Sequence, residues 1–181
     1  MSSIVASAVG SESKMRDTTF LIIGYGNPSR GDDGLGPALA ARLECLQVPG
    51  VTVEIDYQLS IEHAALAAEH DVVVFADASI DAGAPFHFDP VDETPATACT
   101  THSVTPGQVL GLARTCFSAT PRGYLLGIRA RALDGFEEGL TPDAQAGLEA
   151  ALAHLLRFID EHARVERGVD TSRTETADAR R

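Results

Sequence analysis

A glycine-rich segment near the start of the chain carries side chains that could bind a cation. Residues 24–36 read GYGNPSRGDDGLG and follow an apolar run, as phosphate-binding loops do. A phosphate loop needs a lysine or bare backbone N–H groups, whereas this segment has Asp32 and Asp33 at its centre. A dinucleotide fingerprint that begins at Gly24 would need glycine in place of Ser29. Because adjacent carboxylates repel a diphosphate and attract a divalent cation, the segment favours cation binding over nucleotide binding.

Three other polar side chains are expected to meet Asp33 at one edge of a sheet. Asp56 ends the second predicted strand, and Asp77 follows the apolar run VVVFA of the third. His102 stands in the segment TTHSVTPG, which leads into a predicted helix. The carboxyl ends of parallel strands share one edge, and ligands bind there at a change in strand order. Carboxylate oxygens and an imidazole nitrogen at that edge would suit zinc, nickel or manganese.

The argument for function differs among these residues. A lone buried carboxylate is costly unless it is paired or metal-bound, so Asp77 after a buried strand points to function. Asp32 could equally cap a helix or turn the chain, and Asp56 could equally cap a strand end. A lone histidine such as His102 is more often structural than a ligand, so its assignment depends on what lies around it.

The other histidines and two of the cysteines are assigned from helix and strand patterns. Three cysteines without a C-x-x-C spacing indicate a reducing compartment and no structural disulfide. Cys45 and Cys116 lie in helical apolar patterns and are predicted to fill the core. The remaining histidines are predicted to lie at the surface, on helix faces or an edge strand: His63, His70, His87, His154 and His162.

Short β-rich runs alternate with helical patterns along most of the chain. The predicted strands are 18–24, 51–57, 71–78, 86–91 (at a sheet edge) and 123–130, and the predicted helices are 36–46, 61–70, 105–117 and 141–162. This alternation implies right-handed crossovers and a parallel sheet that is covered on both faces. The sequence therefore predicts an α/β fold: a single-domain, three-layer α/β/α arrangement with a mostly parallel twisted sheet of about five strands flanked by helices.

The composition limits the possible partners. A formal net charge of −12 at pH 7 argues against nucleic acid and anionic membranes, which need a basic surface. No apolar run approaches the ~20 residues of a membrane span, and the N-terminal residues lack the basic start and apolar core of a signal peptide. We expect a cytoplasmic monomer with a disordered leader at 1–16, a folded domain at 17–164 and a disordered tail at 165–181.

The motifs, taken in order, resemble those of the hydrogenase maturation proteases. The segment LIIGYGNPSRGDDGLGPALAARL is similar to the N-terminal signature of that family: a strand, G-x-G-N, a short loop, D-(D/E)-x-x-G and a helix. The match continues through VVVFADA, THSVTPGQVL, YLLGIRA and EEGLTPDAQAGLEAAL, and it covers about residues 18–160. The first motif is fairly specific, and the ordered series strengthens the identification.

The resemblance implies an endopeptidase that removes the C-terminal extension of the large-subunit precursor of a [NiFe] hydrogenase after nickel insertion. In this family the cut follows a basic residue, usually His or Arg, beyond the nickel-binding cysteine motif of the client. The nickel is thought to belong to the client, so the acidic site would check that the metal has been loaded. The alternative is a chaperone that binds the nickel-loaded client without cutting it.

The resemblance also assigns roles to residues of this chain. The positions that contact metal in the family match Asp33, Asp77 and His102. The candidate catalytic acids are Asp33, Asp77 and Asp56. The positions that shape the loop beside the cleft match Gly24, Gly26, Asn27 and Gly36. Two mechanisms stay open: a bound metal polarises the scissile carbonyl or acidifies a water, or a carboxylate acts as general base on water.

Two positions depart from the family pattern. Asp33 stands where some members have glutamate, so its side chain is one methylene shorter. Tyr57, Gln58 and Leu59 stand where many members read G-G-T, in a segment expected to help dock the client. The second departure therefore bears on which hydrogenase is the client, and not on the class of activity.

Overall fold

The computed structural model describes residues 17–163 except 84, 96–103, 132 and 134–138. Its strands are β1 (Phe20–Tyr25), β2 (Val51–Asp56), β3 (Val72–Ser79), β4 (Phe86–Val91) and β5 (Arg122–Arg129). Its helices are α1 (Leu35–Leu46), α2 (His63–Ala68), α3 (Pro106–Phe117) and α4 (Pro142–His162), with a 3-10 helix at Gly31–Gly34. The predicted leader and tail, and His102, lie outside the described residues.

The strands form one five-stranded sheet in the order β2-β1-β3-β5-β4. The first four strands in this order are parallel, and β4 pairs with β5 in the antiparallel direction at the edge. The chain reverses its direction of travel across the sheet after β2, so the loops that follow β1 and β3 lie side by side. The predicted three-layer α/β fold with a mostly parallel sheet is confirmed, including the edge position of 86–91.

Two apolar cores flank the sheet. One core contains the buried faces of α1 and α4 and the side chains of Phe20, Ile22 and Val74. The other contains apolar residues of α2 and α3 with Leu21 and Phe75. Neighbouring residues of each central strand alternate between these cores, which explains why the strands read as continuous apolar runs. The face toward α2 and α3 is called the α2/α3 face below.

Local signals at the helix starts agree with the sequence. The Thr105 side chain accepts a hydrogen bond from the Gln108 N–H, and the Gln108 side chain caps the Thr105 N–H in return. Pro106 follows at the first helical position, where its missing N–H has no intrahelical partner to lose. Thr141 and Pro142 repeat this start at α4. No described helix has the length and apolar content needed to cross a membrane.

Three predictions of burial are wrong. Cys45 and Cys116 are exposed, not part of the core. Cys45 lies two residues beyond the buried Leu43 and therefore on the outer side of α1, and Cys116 lies in the last turn of α3, past its last buried residue, Ala113. His63, predicted at the surface, is 3% exposed, because the short α2 turns its first residue toward the sheet.

Candidate active site at the carboxyl edge of the sheet

A row of aligned residues crosses the carboxyl edge of the sheet on its α2/α3 face. Asp56 of β2 pairs with Tyr25 of β1, and Asp77 of β3 pairs with Gly127 of β5. Tyr25 and Asp77 follow the aligned pair Gly24 and Ala76, so they are neighbours between β1 and β3. Aligned residues of a sheet share a face, and neighbouring strands lie about 4.8 Å apart. The row therefore reads Asp56, Tyr25, Asp77, Gly127.

Asp77 is a carboxylate whose surroundings disfavour its charge. Burial raises its pKa above the usual range, and the negative charge of Asp33 raises it further. Hydrogen bonds from the Tyr25 hydroxyl and from the Ala78 N–H (2.7 Å to Oδ1) oppose this rise without cancelling it. Burial and the neighbouring Asp77 also raise the pKa of Tyr25 far above its usual range, so the phenol stays a neutral donor. A raised pKa in a carboxylate at the end of a strand is typical of functional sites.

Asp33 reaches this row from the 3-10 helix between β1 and α1. Its Oδ2 accepts a hydrogen bond from the Asn27 N–H at 3.2 Å, which ties the carboxylate to the start of the loop. Gly26 has φ +139, and a Cβ at that position would collide with the carbonyl group of Asp33. A Cβ on Gly24 would lie 2.8 Å from the carbonyl carbon of Gly36, so the loop folds directly onto the start of α1. These close approaches bring the charge of Asp33 beside Asp77.

Asp32, the other acid of the pair, points away from the site and is 1% exposed. Its Oδ1 accepts a hydrogen bond from the Thr141 N–H at 2.8 Å. Its Oδ2 accepts from the Thr141 hydroxyl at 3.0 Å and from the Arg131 N–H at 3.1 Å. These bonds fix the start of α4 to the loop that carries Asp33. Of the two readings that the sequence allowed for Asp32, the geometry favours the structural one.

We expect Asp32→Ala to lower the free energy of unfolding by about 3 kcal/mol, because three partly buried donors would lose the buried carboxylate that accepts their hydrogen bonds. Urea denaturation followed by circular dichroism measures this change. The matched comparison is Asp143→Ala, since the Asp143 carboxylate forms an exposed ion pair with Arg131 and contributes little. Equal effects of the two substitutions would mean that Asp32 does not hold α4 in place.

Asp56 lies on the far side of Tyr25 from Asp77, two strand spacings or about 10 Å away. Its Oδ1 accepts a hydrogen bond from the Tyr57 N–H at 2.6 Å, and its Oδ2 lies 3.8 Å from Nε2 of His63. His63 Nδ1 accepts the Ser60 N–H at 2.9 Å, so in the neutral ring the proton is on Nε2 and faces Asp56. Asp56 is therefore oriented by His63 and by the backbone, outside direct contact with the Asp33–Asp77 pair.

The chemistry of the described part of the site suits a cation. Asp33 and Asp77 are acids close enough for one to raise the pKa of the other, and neither forms a salt bridge with a described residue. A divalent cation would relieve their repulsion, and carboxylates of this kind fit nickel together with a nitrogen ligand. No group of three metal-ligating side chains is assembled among the described residues. The pair would need further ligands, from His102 or from a bound partner.

Tyr25 is a candidate site residue that the sequence analysis missed, because it donates a hydrogen bond to Asp77. Its signal was an aromatic residue between the glycines of GYG, at a position where only the strand pattern was considered. We expect Tyr25→Phe to raise the pKa of Asp77 further, since the lost hydrogen bond lowers it in the intact protein. A reaction that needs the ionised carboxylate would then lose activity at higher pH, so the acid limb of the pH–activity profile would move upward. An acid limb that stays in place would exclude Tyr25 from this role.

Comparison with known structures identifies the same architecture in other proteins. The [NiFe] hydrogenase maturation protease HycI from Thermococcus kodakarensis KOD1 is 25% identical, with a TM-score of 0.62, and the match covers 82% of this chain and 95% of that one. The hydrogenase maturating endopeptidase HybD from E. coli is 28% identical, with a TM-score of 0.60 and coverage of 81% and 94%. No protein-family model and no curated protein sequence matches the chain.

A third structure, the hydrogenase 2 maturation peptidase from Thaumarchaeota archaeon SCGC_AB-539-E09, shares the fold at 21% identity, with a TM-score of 0.59 and coverage of 78% and 98%. Fold and site together define a three-layer α/β protein with an acidic pair at the carboxyl edge of its sheet. The likeness to these maturation proteases supports the hydrogenase maturation protease family that the motifs of this chain predicted.

Proposed function

We propose that this chain is an endopeptidase that removes the C-terminal extension of a [NiFe] hydrogenase large-subunit precursor after nickel insertion, cutting after a basic residue beyond the nickel-binding cysteine motif. The observation that carries the proposal is the Asp33–Asp77 pair, two neighbouring acids without a described salt bridge at the edge where α/β proteins bind ligands. The structural neighbours named hydrogenase maturation proteases support the same activity.

The surface around the acidic pair supports a protein client. Tyr57 and Ile61 follow β2, Ile80 follows β3, and their exposed fractions are 65%, 58% and 65%. Large apolar side chains exposed on the loops beside a polar cleft are typical of a protein-binding surface. Leu59, in contrast, is buried. In the segment that replaces the family's G-G-T, Leu59 therefore packs into the core while Tyr57 is exposed to solvent. We propose that Tyr57, Ile61 and Ile80 contact the client.

Each acidic residue of the cleft would have a separate role in hydrolysis. Asp33 and Asp77 would face the nickel of the client, and His102 would add an imidazole nitrogen. Nickel held in the client would supply a positive charge and a Lewis acid at this pair. Asp77, whose pKa is already raised, is the better placed acid to accept a proton from the attacking water. The water oxygen bonds to the scissile carbonyl carbon, the C–N bond breaks, and the leaving amine takes up a proton.

The proposal is tested by incubating the protein with nickel-loaded precursor and measuring the mass of the client's C-terminus. We expect the extension to be lost with nickel-loaded client and to be kept with nickel-free client. Tight binding of the nickel-loaded client without cleavage would identify a nickel-checking chaperone instead. A protein that neither cleaves nor binds the precursor would refute both functions.

A further inference from the structure

The edge strand β4 carries a histidine whose ring lies over a glycine of β5. A Cβ on Gly127 would lie 2.6 Å from both Cδ2 and Cε1 of His87, and closer still to Nε2. The imidazole therefore fills the space that any side chain at position 127 would need. His87 and Gly127 are aligned in the antiparallel β4–β5 pair, so both face the same side of the sheet.

The other ring nitrogen of His87 is held by a carboxylate. Nδ1 lies 2.8 Å from Oδ2 of Asp89, two residues along the same face of β4. With the Nδ1–H donated to Asp89, the neutral ring presents a lone pair at Nε2, which is the end that lies over Gly127. A histidine whose second nitrogen donates to a carboxylate is the arrangement that orients metal-ligating histidines.

The register of the sheet places Nε2 of His87 next to the candidate active site. Gly127 is aligned with Asp77 in the parallel β3–β5 pair, so the row across the carboxyl edge continues through Gly127 to His87. Nε2 occupies the place of a Gly127 side chain, and adjacent strands are spaced by about 4.8 Å. The Nε2 nitrogen and the Asp77 carboxylate therefore come from neighbouring positions of one row, on the same face of the sheet.

We propose that His87 is a cation ligand that acts together with Asp77. Asp89 orients its ring, and the absence of a side chain at Gly127 leaves room for it. The proposal rests on the proposed function, because the cation would be the nickel that the client presents. The donor set is one carboxylate oxygen and one imidazole nitrogen, which suits a borderline divalent cation such as nickel, cobalt or cadmium. Two ligands from this side of the cleft leave further coordination positions for groups of the client.

Cadmium titration of the full chain by calorimetry, without client, tests the proposal. We expect His87→Ala to weaken cadmium binding by at least about tenfold, and Asp89→Asn to weaken it by about tenfold through loss of the orienting carboxylate. Gly127→Ala should weaken it as much as His87→Ala, because the new Cβ displaces a histidine that is still present. The double variant His87→Ala/Gly127→Ala should lose no more than either alone and should melt at a higher temperature than Gly127→Ala.

The matched control is His70→Ala. Both ring nitrogens of His70 are already engaged, one with the Leu66 carbonyl and one with the Thr52 hydroxyl, so its loss should leave cadmium affinity unchanged. A second readout, independent of affinity, is the imidazole nitrogen spectrum of nitrogen-15-labelled protein. Cadmium should shift the Nε2 resonance of His87 and leave the Nδ1 resonance of that ring nearly in place.

The proposal is overturned if His87→Ala binds cadmium within twofold of the unmodified protein, or if the Nε2 resonance does not move. It is also overturned if the unmodified protein binds no cadmium. None of these outcomes touches the proposed function, which stands or falls on cleavage of nickel-loaded precursor by the unmodified protein. If the precursor is not cleaved but cadmium binds at His87, the proposed cation ligand is supported and the proposed protease activity is refuted.

Discussion

Asp77→Asn is expected to abolish processing of the precursor and at the same time to stabilise the protein at neutral pH. The substitution keeps the size and shape of the side chain and removes its charge. The Asn oxygen can still accept a hydrogen bond from the Ala78 N–H, and the Tyr25 oxygen can accept one from the new amide NH2 group. What is lost is the negative charge that would meet the client's cation and the basic oxygen that would take a proton from water.

The stabilisation follows from the direction of the pKa shift. A carboxyl whose pKa is raised in the folded state binds protons more tightly there than in the unfolded chain, so it favours folding in acid. That contribution is lost as pH rises through the folded pKa. The melting temperature of Asp77→Asn should therefore exceed that of the unmodified protein at neutral pH, and the gap should close as pH falls through the aspartate range.

Melting curves at several pH values and a cleavage assay check the two halves of this prediction separately. Cleavage at the unmodified rate would remove Asp77 from the site. A variant that is less stable at neutral pH and equal in acid would mean that the surroundings favour the charged carboxylate, contrary to the raised pKa of the half-buried Asp77. A matched comparison is Asp89→Asn, because that carboxylate is exposed and its loss should leave the melting temperature nearly unchanged.

Local sequence signals were enough to predict the fold. Apolar runs of strand length, capping residues and the positions of Pro106 and Pro142 are read within a single element, and each of these agrees with the structure. The same kind of signal singled out Asp77 as a candidate, since an acid directly after a buried apolar run has few structural explanations; its role stays a prediction. The two errors concern cysteines on helices: Cys45 lies on the outer side of α1, and Cys116 lies in the last turn of α3, beyond the core.

The residues that sequence analysis misplaced or missed depend on contacts between distant segments. Tyr25 meets Asp77 only because β1 and β3 are adjacent, and His87 meets the same row only through the register of β4 on β5. His63 is buried at the start of α2, where its Nε2 lies 3.8 Å from the Asp56 carboxylate at the end of β2. Strand order and register are set by the packing of the whole sheet. The alternation of side chains along one strand therefore predicts which face of the sheet a residue lies on, but not which residues of other strands lie beside it.

Gly36→Ala is expected to destabilise the domain strongly. A Cβ on Gly36 would lie 2.9 Å from the backbone nitrogen of Tyr25 and closer still to the carbonyl oxygens of Tyr25 and Ala76. These atoms belong to the two central strands, which cannot move without breaking the sheet. We expect the free energy of unfolding to fall by about 3 kcal/mol, and the start of α1 to move away from the sheet. The 3-10 helix that carries Asp33 would move with it.

Displacing Asp33 from Asp77 should reduce processing as well as stability. A shift of about 1 Å in a catalytic group lowers rates by roughly 100-fold, so we expect a loss of that order in cleavage even at temperatures where the variant is folded. Gly83→Ala is the matched control, because a Cβ there meets no heavy atom within 4 Å and the backbone does not adopt a positive φ. That variant should keep its stability within about 0.5 kcal/mol and its full activity. Urea denaturation and the client cleavage assay on both variants decide the matter: an unaffected Gly36→Ala would mean that α1 does not hold the acidic loop against the sheet.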